Sequence, residues 1–324
     1  MKDYSYVRGF NYIPSYACNI YEIWRSFDAD VFDRELGLGK KFFPKMNAVR
    51  FWLSYDAFRY DEDRQAEYFE TALSICEKYG LKVIPCLFNC WHGNILDAGG
   101  MYHPWMIPKS IDSATESMFD SYFKKIVAAH KDDQRILLWD ICNEPFSYDS
   151  NKEYTDFMRP YELAWLRKMC IKCHESGATQ PCGVSFATTE DERSRHEAIA
   201  DVVDVFLVHP YYYRKDEHLI TLPEDGFDQL LQKHIKLSQD YNKPVLTTET
   251  CWGSRNSLTR AQMIKKTLEA HKRHNLGFIA HALYWSPFAD LHDEEDGPVG
   301  KPGNLMFITK DGKIREGHEV FNEF

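Results

Sequence analysis

The run Ile136-Leu-Leu-Trp-Asp-Ile-Cys-Asn-Glu-Pro145 opens apolar and closes on polar residues and a proline. Bounded this way, Ile136–Ile141 reads as a buried strand whose carboxyl end carries Asn143 and Glu144. Similar short runs, rich in Val, Ile and aromatics, recur at Val7–Tyr12, Ala48–Leu53, Lys82–Phe88, Gly183–Thr188, Val203–Val208, Val245–Thr248 and Phe278–Tyr284. Helical patterns separate them, clearest at Arg64–Tyr79, Ser113–His130, Pro160–Glu175, Phe227–Tyr241 and Thr259–His274, with a shorter one at Arg193–Asp201. Asp112 and Thr259 are the expected N-caps, and Gly80 an expected helix stop. Strands that alternate with helices imply a parallel sheet. Eight such units in one undivided chain favour an α/β fold with a single closed (β/α)8 TIM barrel over an open doubly wound sheet. No G-x-G-x-x-G opens the first unit, which lowers the dinucleotide-binding alternative further.

The 324 residues would allow two domains at roughly 150 residues each. No repeat, low-complexity tract or Pro/Gly/Ser linker divides the chain, so one catalytic barrel over residues 1–324 is expected. The net charge is 39 − 49 = −10 without a long basic block. That argues against nucleic acid or an anionic membrane as the partner. No apolar run approaches the roughly 18 residues of a membrane-spanning helix. Met1-Lys-Asp-Tyr-Ser-Tyr lacks an apolar signal core, so the chain as given is expected to be cytoplasmic unless a leader has been removed. The nine cysteines, several inside apolar runs, fit buried free thiols in a reducing compartment. Aromatics make up 15% of the chain, mostly for core packing but in numbers that also suit stacking on a sugar ring.

In a barrel of this class the active site lies at the carboxyl ends of the strands. Those ends read Phe10-Asn11-Tyr12, Arg50-Phe51-Trp52, Asn89-Cys90-Trp91-His92, Asn143-Glu144-Pro145, His209-Pro210-Tyr211, Glu249 and Trp285. No strand-end lysine is available for a Schiff base, and no H-x-H opens a metal site on the first strand. Two carboxylates, Glu144 and Glu249, would face one mouth among an arginine, histidines and tryptophans. That pairing is what glycoside hydrolysis demands, one carboxylic acid to protonate the leaving oxygen and one carboxylate to attack or to activate water.

The run Trp139-Asp140-Ile141-Cys142-Asn143-Glu144-Pro145 resembles the W-x-x-x-N-E-P signature of the clan A glycoside hydrolases, most of all family 5, the cellulase and mannanase family. Arg50, His209-Pro210-Tyr211, Glu249 and Trp285 follow in that family's order. The resemblance implies a retaining β-glycoside hydrolase with Glu144 as acid/base and Glu249 as nucleophile. It implies further that Asn143 meets the sugar 2-hydroxyl, that Arg50 and Tyr211 hold Glu249 ionised and oriented, and that His209 lines the site. Trp285 would floor the reacting sugar. His92 is the candidate for the family's histidine after the third strand, and Trp52, Trp91 and Trp252 are candidate stacking platforms. No cofactor and no metal are expected, and the partner would be a β-linked oligosaccharide or polysaccharide of the β-mannan or β-glucan type. The competing reading is a non-catalytic carbohydrate-binding protein on a hydrolase-like barrel.

Three motifs fall outside this scheme. Cys170-Ile-Lys-Cys173-His174 has the C-x-x-C-H spacing of covalent haem, but it lies in a helical pattern and reads as packing. A zinc site at Cys170, Cys173, His174 and Cys182 is conceivable, yet no second C-x-x-C pair supports it. Asp293-Glu-Glu-Asp296 fits no calcium-loop spacing and reads as a solvated loop. Long loops are expected at Asn89–Ile111, Phe146–Arg159 and Ser286–Phe307, walling the mouth, with Asp97-Ala-Gly-Gly100 as a candidate lid.

Overall fold

The computed structural model describes residues 2–91, 100–101, 106, 117–147, 152–212, 226–291 and 305–324. Eight parallel strands close into a barrel in chain order: β1 (Arg8–Asn11), β2 (Ala48–Trp52), β3 (Lys82–Asn89), β4 (Trp139–Asn143), β5 (Cys182–Ala187), β6 (Phe206–His209), β7 (Val245–Thr250) and β8 (Phe278–Ala280). Closure is made by β8 pairing back on β1, with Gly9 opposite Ile279. Among the described residues no helix is long and apolar enough to cross a membrane.

Two apolar layers explain the closure. Val7, Ala48, Ile84, Leu138, Leu207, Leu246 and Ile279 form one buried cluster drawn from around the strand ring, with no residue from a helix. It is the filling of the barrel's lower interior. The opposite faces of the same strands, such as Val49, Phe51 and Val83, pack on helix residues including Leu36, Phe69 and Leu73 in a larger cluster. Gly9 and Gly183 stand where neighbouring strands approach most closely. A Cβ at Gly9 would lie 2.5 Å from the Ala48 carbonyl oxygen, and one at Gly183 would lie 2.6 Å from that of Val205.

The helices follow their end signals with some shifts. Gly80, at φ +67, ends Glu62–Lys78 as expected. Asn256, not Thr259, caps Ser257–Arg273, because the Thr259 N–H needs an acceptor three residues earlier and finds Asn256 Oδ1 at 2.9 Å. Asp112 lies outside the described residues. The Lys152–Glu175 helix carries Pro160 inside it, so the sequence reading started it too late and counted its first turns as loop. Helices at Ile20–Arg25, Ala29–Phe42 and Tyr55–Tyr60 add to those read from periodicity, the second capped by Asp28 through the Asp30 and Val31 N–H groups. β8 ends at Ala280, four residues before the expected Tyr284.

Gly9→Ala should destabilise the protein by about 1–3 kcal/mol, because the added methyl meets backbone on one side and Ile279 on the other. Urea unfolding would read this as a lower midpoint with an unchanged slope.

Candidate active site

Strand alternation puts Ala48, Arg50 and Trp52 of β2 on the barrel's inner face. Arg50 is completely buried, which its charge permits only because every N–H finds an acceptor. Nε donates to Asp140 Oδ2 at 2.9 Å, and Nη1 to Asn11 Oδ1 at 2.9 Å and Glu249 Oε2 at 3.3 Å. Nη2 donates to Asn143 Oδ1 at 2.7 Å and Ser185 Oγ at 3.1 Å. Burial by itself would weaken the guanidinium's hold on its proton. The charges of Asp140 and Glu249 outweigh that and raise its pKa. One side chain of β2 thus ties β1, β4, β5 and β7 together above the apolar layer.

The two glutamates meet different surroundings. Glu249 accepts from the Arg50 guanidinium on one oxygen and from the Tyr211 hydroxyl on the other. Glu144 follows β4 with φ 44, a left-handed backbone that costs a non-glycine residue on the order of 1–3 kcal/mol. Its N–H is held by the Ser185 carbonyl at 2.8 Å, and Oε1 lies 2.7 Å from His209 Nδ1. Burial pushes the Glu144 carboxyl up to about 7, with Arg50 opposing and Asp140 adding to the rise. Burial also pulls His209 down to about 4, so the imidazole is neutral at neutral pH. His209 Nε2 has no hydrogen-bond partner among the described residues. The tautomer that donates from Nδ1 to Glu144 is therefore the less costly one, since it leaves a lone pair unpaired instead of an N–H. One ligand atom from each of Glu144, His209 and Glu249 lies within 4.8 Å of the other two. Such a set could hold a divalent cation, but Arg50 already supplies positive charge to Glu249 from 3.3 Å. The arrangement suits a protonated acid beside an oriented carboxylate.

No protein-family model matches the sequence, and no curated protein matches it. Solved structures do. An exo-β-1,4-mannosidase from Opitutaceae bacterium strain TAV5 has a TM-score of 0.73 at 18% identity, over 98% of this chain and 58% of that one. A GH5_18 protein from Streptomyces cattleya, in complex with GlcNAc, has a TM-score of 0.68 at 14% identity over 98% and 80%. An endo-β-1,4-glucanase from Xanthomonas axonopodis pv. citri has a TM-score of 0.62 at 14% identity over 97% and 96%. The chain shares their barrel. It spans 58% of the mannosidase's length but nearly all of the glucanase's.

In this barrel the two glutamates open into a cavity of about 1370 Å³, above the roughly 300–1,000 Å³ of ordinary small-ligand pockets. Its wall includes Asn143, Glu144, His209, Tyr211 and Glu249, together with Trp52, Trp91 and Trp252. Trp52 lies against Arg50, whose guanidinium sits 4.8 Å from the ring centre, and Trp252 packs edge-on to Tyr211 at 4.8 Å. Trp285 is half-buried under the Lys310 ammonium at 4.1 Å and is not among the described wall residues. The early end of β8 puts His281 at its carboxyl end instead, and His281 lines the cavity. His92, residues 97–99 of the candidate lid Asp97–Gly100 and the acidic run Asp293–Asp296 lie outside the described residues.

Sequence reading passed over Asn11, Asn89, Asp140 and Ser185 as site residues. All four are polar and buried in otherwise apolar strands, and Asn89 Oδ1 accepts from Asn143 Nδ2 at 2.9 Å. Polarity at an inward strand position was the available signal. Arg50→Met should cost about 3–5 kcal/mol in urea unfolding, because it leaves the fully buried Asp140 without its cation.

Proposed function

We propose that the protein is a retaining β-glycoside hydrolase of the family 5 kind, with Glu144 as acid/base and Glu249 as nucleophile, acting on a β-linked glycan or oligosaccharide. The observation that carries this reading is the spacing and unlike environment of the two carboxyls. Retaining enzymes hold theirs about 5–5.5 Å apart, inverting ones about 6.5–9.5 Å. Oxygens of Glu144 and Glu249 within 4.8 Å of each other favour the first class. The β-mannan or β-glucan preference leans on neighbours that include a mannosidase and a glucanase.

In the first step Glu249 Oε attacks the anomeric carbon while the Glu144 carboxylic acid gives its proton to the departing glycosidic oxygen. The product is a glycosyl ester of Glu249 and a free alcohol. Glu144, now a carboxylate, takes a proton from water as that water attacks the anomeric carbon, and Glu249 leaves as a carboxylate. Asn143, fixed by Arg50 and Asn89, presents its amide to the sugar 2-hydroxyl, where a hydrogen bond strengthens as positive charge develops on the ring. Trp52, Trp91 and Trp252 offer ring faces and edges to sugars on either side of the cut.

The alternative, a binding protein on the same barrel, would not need a carboxyl held near neutrality. Mass spectrometry after incubation with activated 2-deoxy-2-fluoro β-glycosides separates the two. A single adduct on Glu249 is expected; saturable oligosaccharide binding with no adduct and no product would replace the enzyme by the binding module. Glu249→Ala should abolish turnover, with azide partly restoring it by entering the space of the lost carboxylate and displacing the leaving group from that side, which gives the α-glycosyl azide. A fully active variant would refute the assignment.

Because the acid must be protonated, kcat/KM should fall as pH rises through about 7, tenfold per unit beyond it. Glu144→Gln should lose that limb and, on substrates with poor leaving groups, on the order of 10²–10⁴-fold in rate. An aryl glycoside with an acidic leaving group should lose much less.

A further inference from the structure

The cysteine motif that reads as helix packing in the sequence comes together with distant residues in the fold. Cys170, Cys173 and His174 lie three and four residues apart in the last turns of the Lys152–Glu175 helix, on one face of it. Cys182 opens β5, and Asp204 lies two residues before the start of β6. His174 Nε2 is 3.4 Å from Cys182 Sγ and 2.9 Å from Asp204 Oδ2. These three atoms all lie within 4.8 Å of one another. The buried thiols of Cys170 and Cys173 lie near the Cys182 sulfur without joining that set of three.

We propose that Cys182, His174 and Asp204 form a three-residue binding site for zinc or a similar soft divalent metal, its fourth position facing solvent. Bonds of about 2.0–2.3 Å to a tetrahedral ion imply ligand atoms about 3.3–3.8 Å apart. The two separations measured from His174 Nε2 need only a few tenths of an ångström of adjustment. Thiolate and imidazole donors select zinc over hard cations. The backbone already braces the set, because the Cys182 N–H donates to Asp204 Oδ2 at 2.9 Å and the Asp204 N–H donates to the Cys182 carbonyl at 2.8 Å. His174 and Asp204 are 40% and 45% exposed, which gives an ion a way in to otherwise buried sulfur.

A second cluster, Glu70, His130 and Asp133, has similar spacing but is already neutralised by Arg135, at 2.7 Å from Glu70 and 2.6 Å from Asp133. Asp204 has no ion-pair partner but His174 among the described residues. Binding would displace the Cys182 thiol proton to solvent and leave the metal's charge balanced by thiolate and carboxylate. The site sits at the amino end of β5, the opposite end of the barrel from Glu144 and Glu249. About 16 Å of strand separates Cys182 from the β5 residues that face the mouth. Its role is to clamp a helix end to two strands, not to touch the sugar.

The test is a Co²⁺ titration of the reduced, chelator-stripped protein, followed by displacement with Zn²⁺. One equivalent per chain is expected, with the near-ultraviolet band of cobalt–thiolate charge transfer, and Zn²⁺ should abolish that band. Cys182→Ser should remove the band. His174→Ala, a change at a partly exposed side chain that the fold should tolerate, should weaken binding at least about tenfold. Glu249→Ala should leave both unchanged, which separates this site from the glutamate pair and its failure from failure of the hydrolase reading. Absence of the band, or cobalt bound with the band intact in Cys182→Ser, would overturn the proposal.

Discussion

A single buried cation organises the upper half of this barrel. Arg50 has no exposed face, so its charge is supportable only while Asp140, Asn11, Asn143, Ser185 and Glu249 all point at it. Those acceptors come from β1, β4, β5 and β7, and the requirement to satisfy one guanidinium therefore fixes the relative height of four other strands. Below it lies an apolar cluster that runs from Val7 to Ile279. The division is energetic as well as spatial. Aliphatic packing closes the ring, and the polar layer, whose net worth to stability is small once desolvation is counted, positions the groups that face the mouth.

Positioning also required breaking the strand pattern. Leu138 belongs to the interior cluster, so strict alternation would bring Asp140 and Cys142 inward and turn Asn143 away. The β4–β5 register shifts between Asp140 and Asn143, and both Asp140 and Asn143 reach Arg50. The same holds on β7. Leu246 faces in, which would send Glu249 outward, but the β7–β8 register shifts between Thr247 and Thr250. Irregularities of this kind re-aim side chains near active sites. The left-handed backbone at Glu144 and at Cys251, just beyond each shift, belongs to the same local distortion.

That distortion explains which features were legible in the sequence. The barrel was readable because β-type runs and helical runs alternate, and hydrophobic burial acts on exactly that pattern of composition. Glu144, Glu249, Arg50, His209 and Tyr211 were readable because strand ends in such a barrel converge on one mouth. Trp285 was expected at that mouth because Phe278–Tyr284, apolar but for His281, reads as one strand. The chain instead leaves the sheet after Ala280, and the one polar residue of the run, His281, marks the point. Asn11, Asp140 and Ser185 were overlooked for a different reason, since their role exists only through the register that brings them to Arg50. The Cys182–His174–Asp204 contact is likewise a product of topology, joining a helix end to two strand starts.

The unlike behaviour of the two glutamates follows from where positive charge is allowed. Arg50 contacts Glu249 directly but reaches Glu144 only through space, and the group in contact with Glu144 is an imidazole that burial keeps uncharged. A protonated His209 would stabilise the Glu144 carboxylate and strip the acid of its proton near neutral pH. A neutral His209 can donate from Nδ1 to either form of Glu144 and so holds the side chain in place without choosing its charge. Burial of Glu144, beside an imidazole that burial also keeps uncharged, thus lets the same small volume hold a carboxylate braced by a cation and, within 4.8 Å of it, a carboxyl raised toward neutrality.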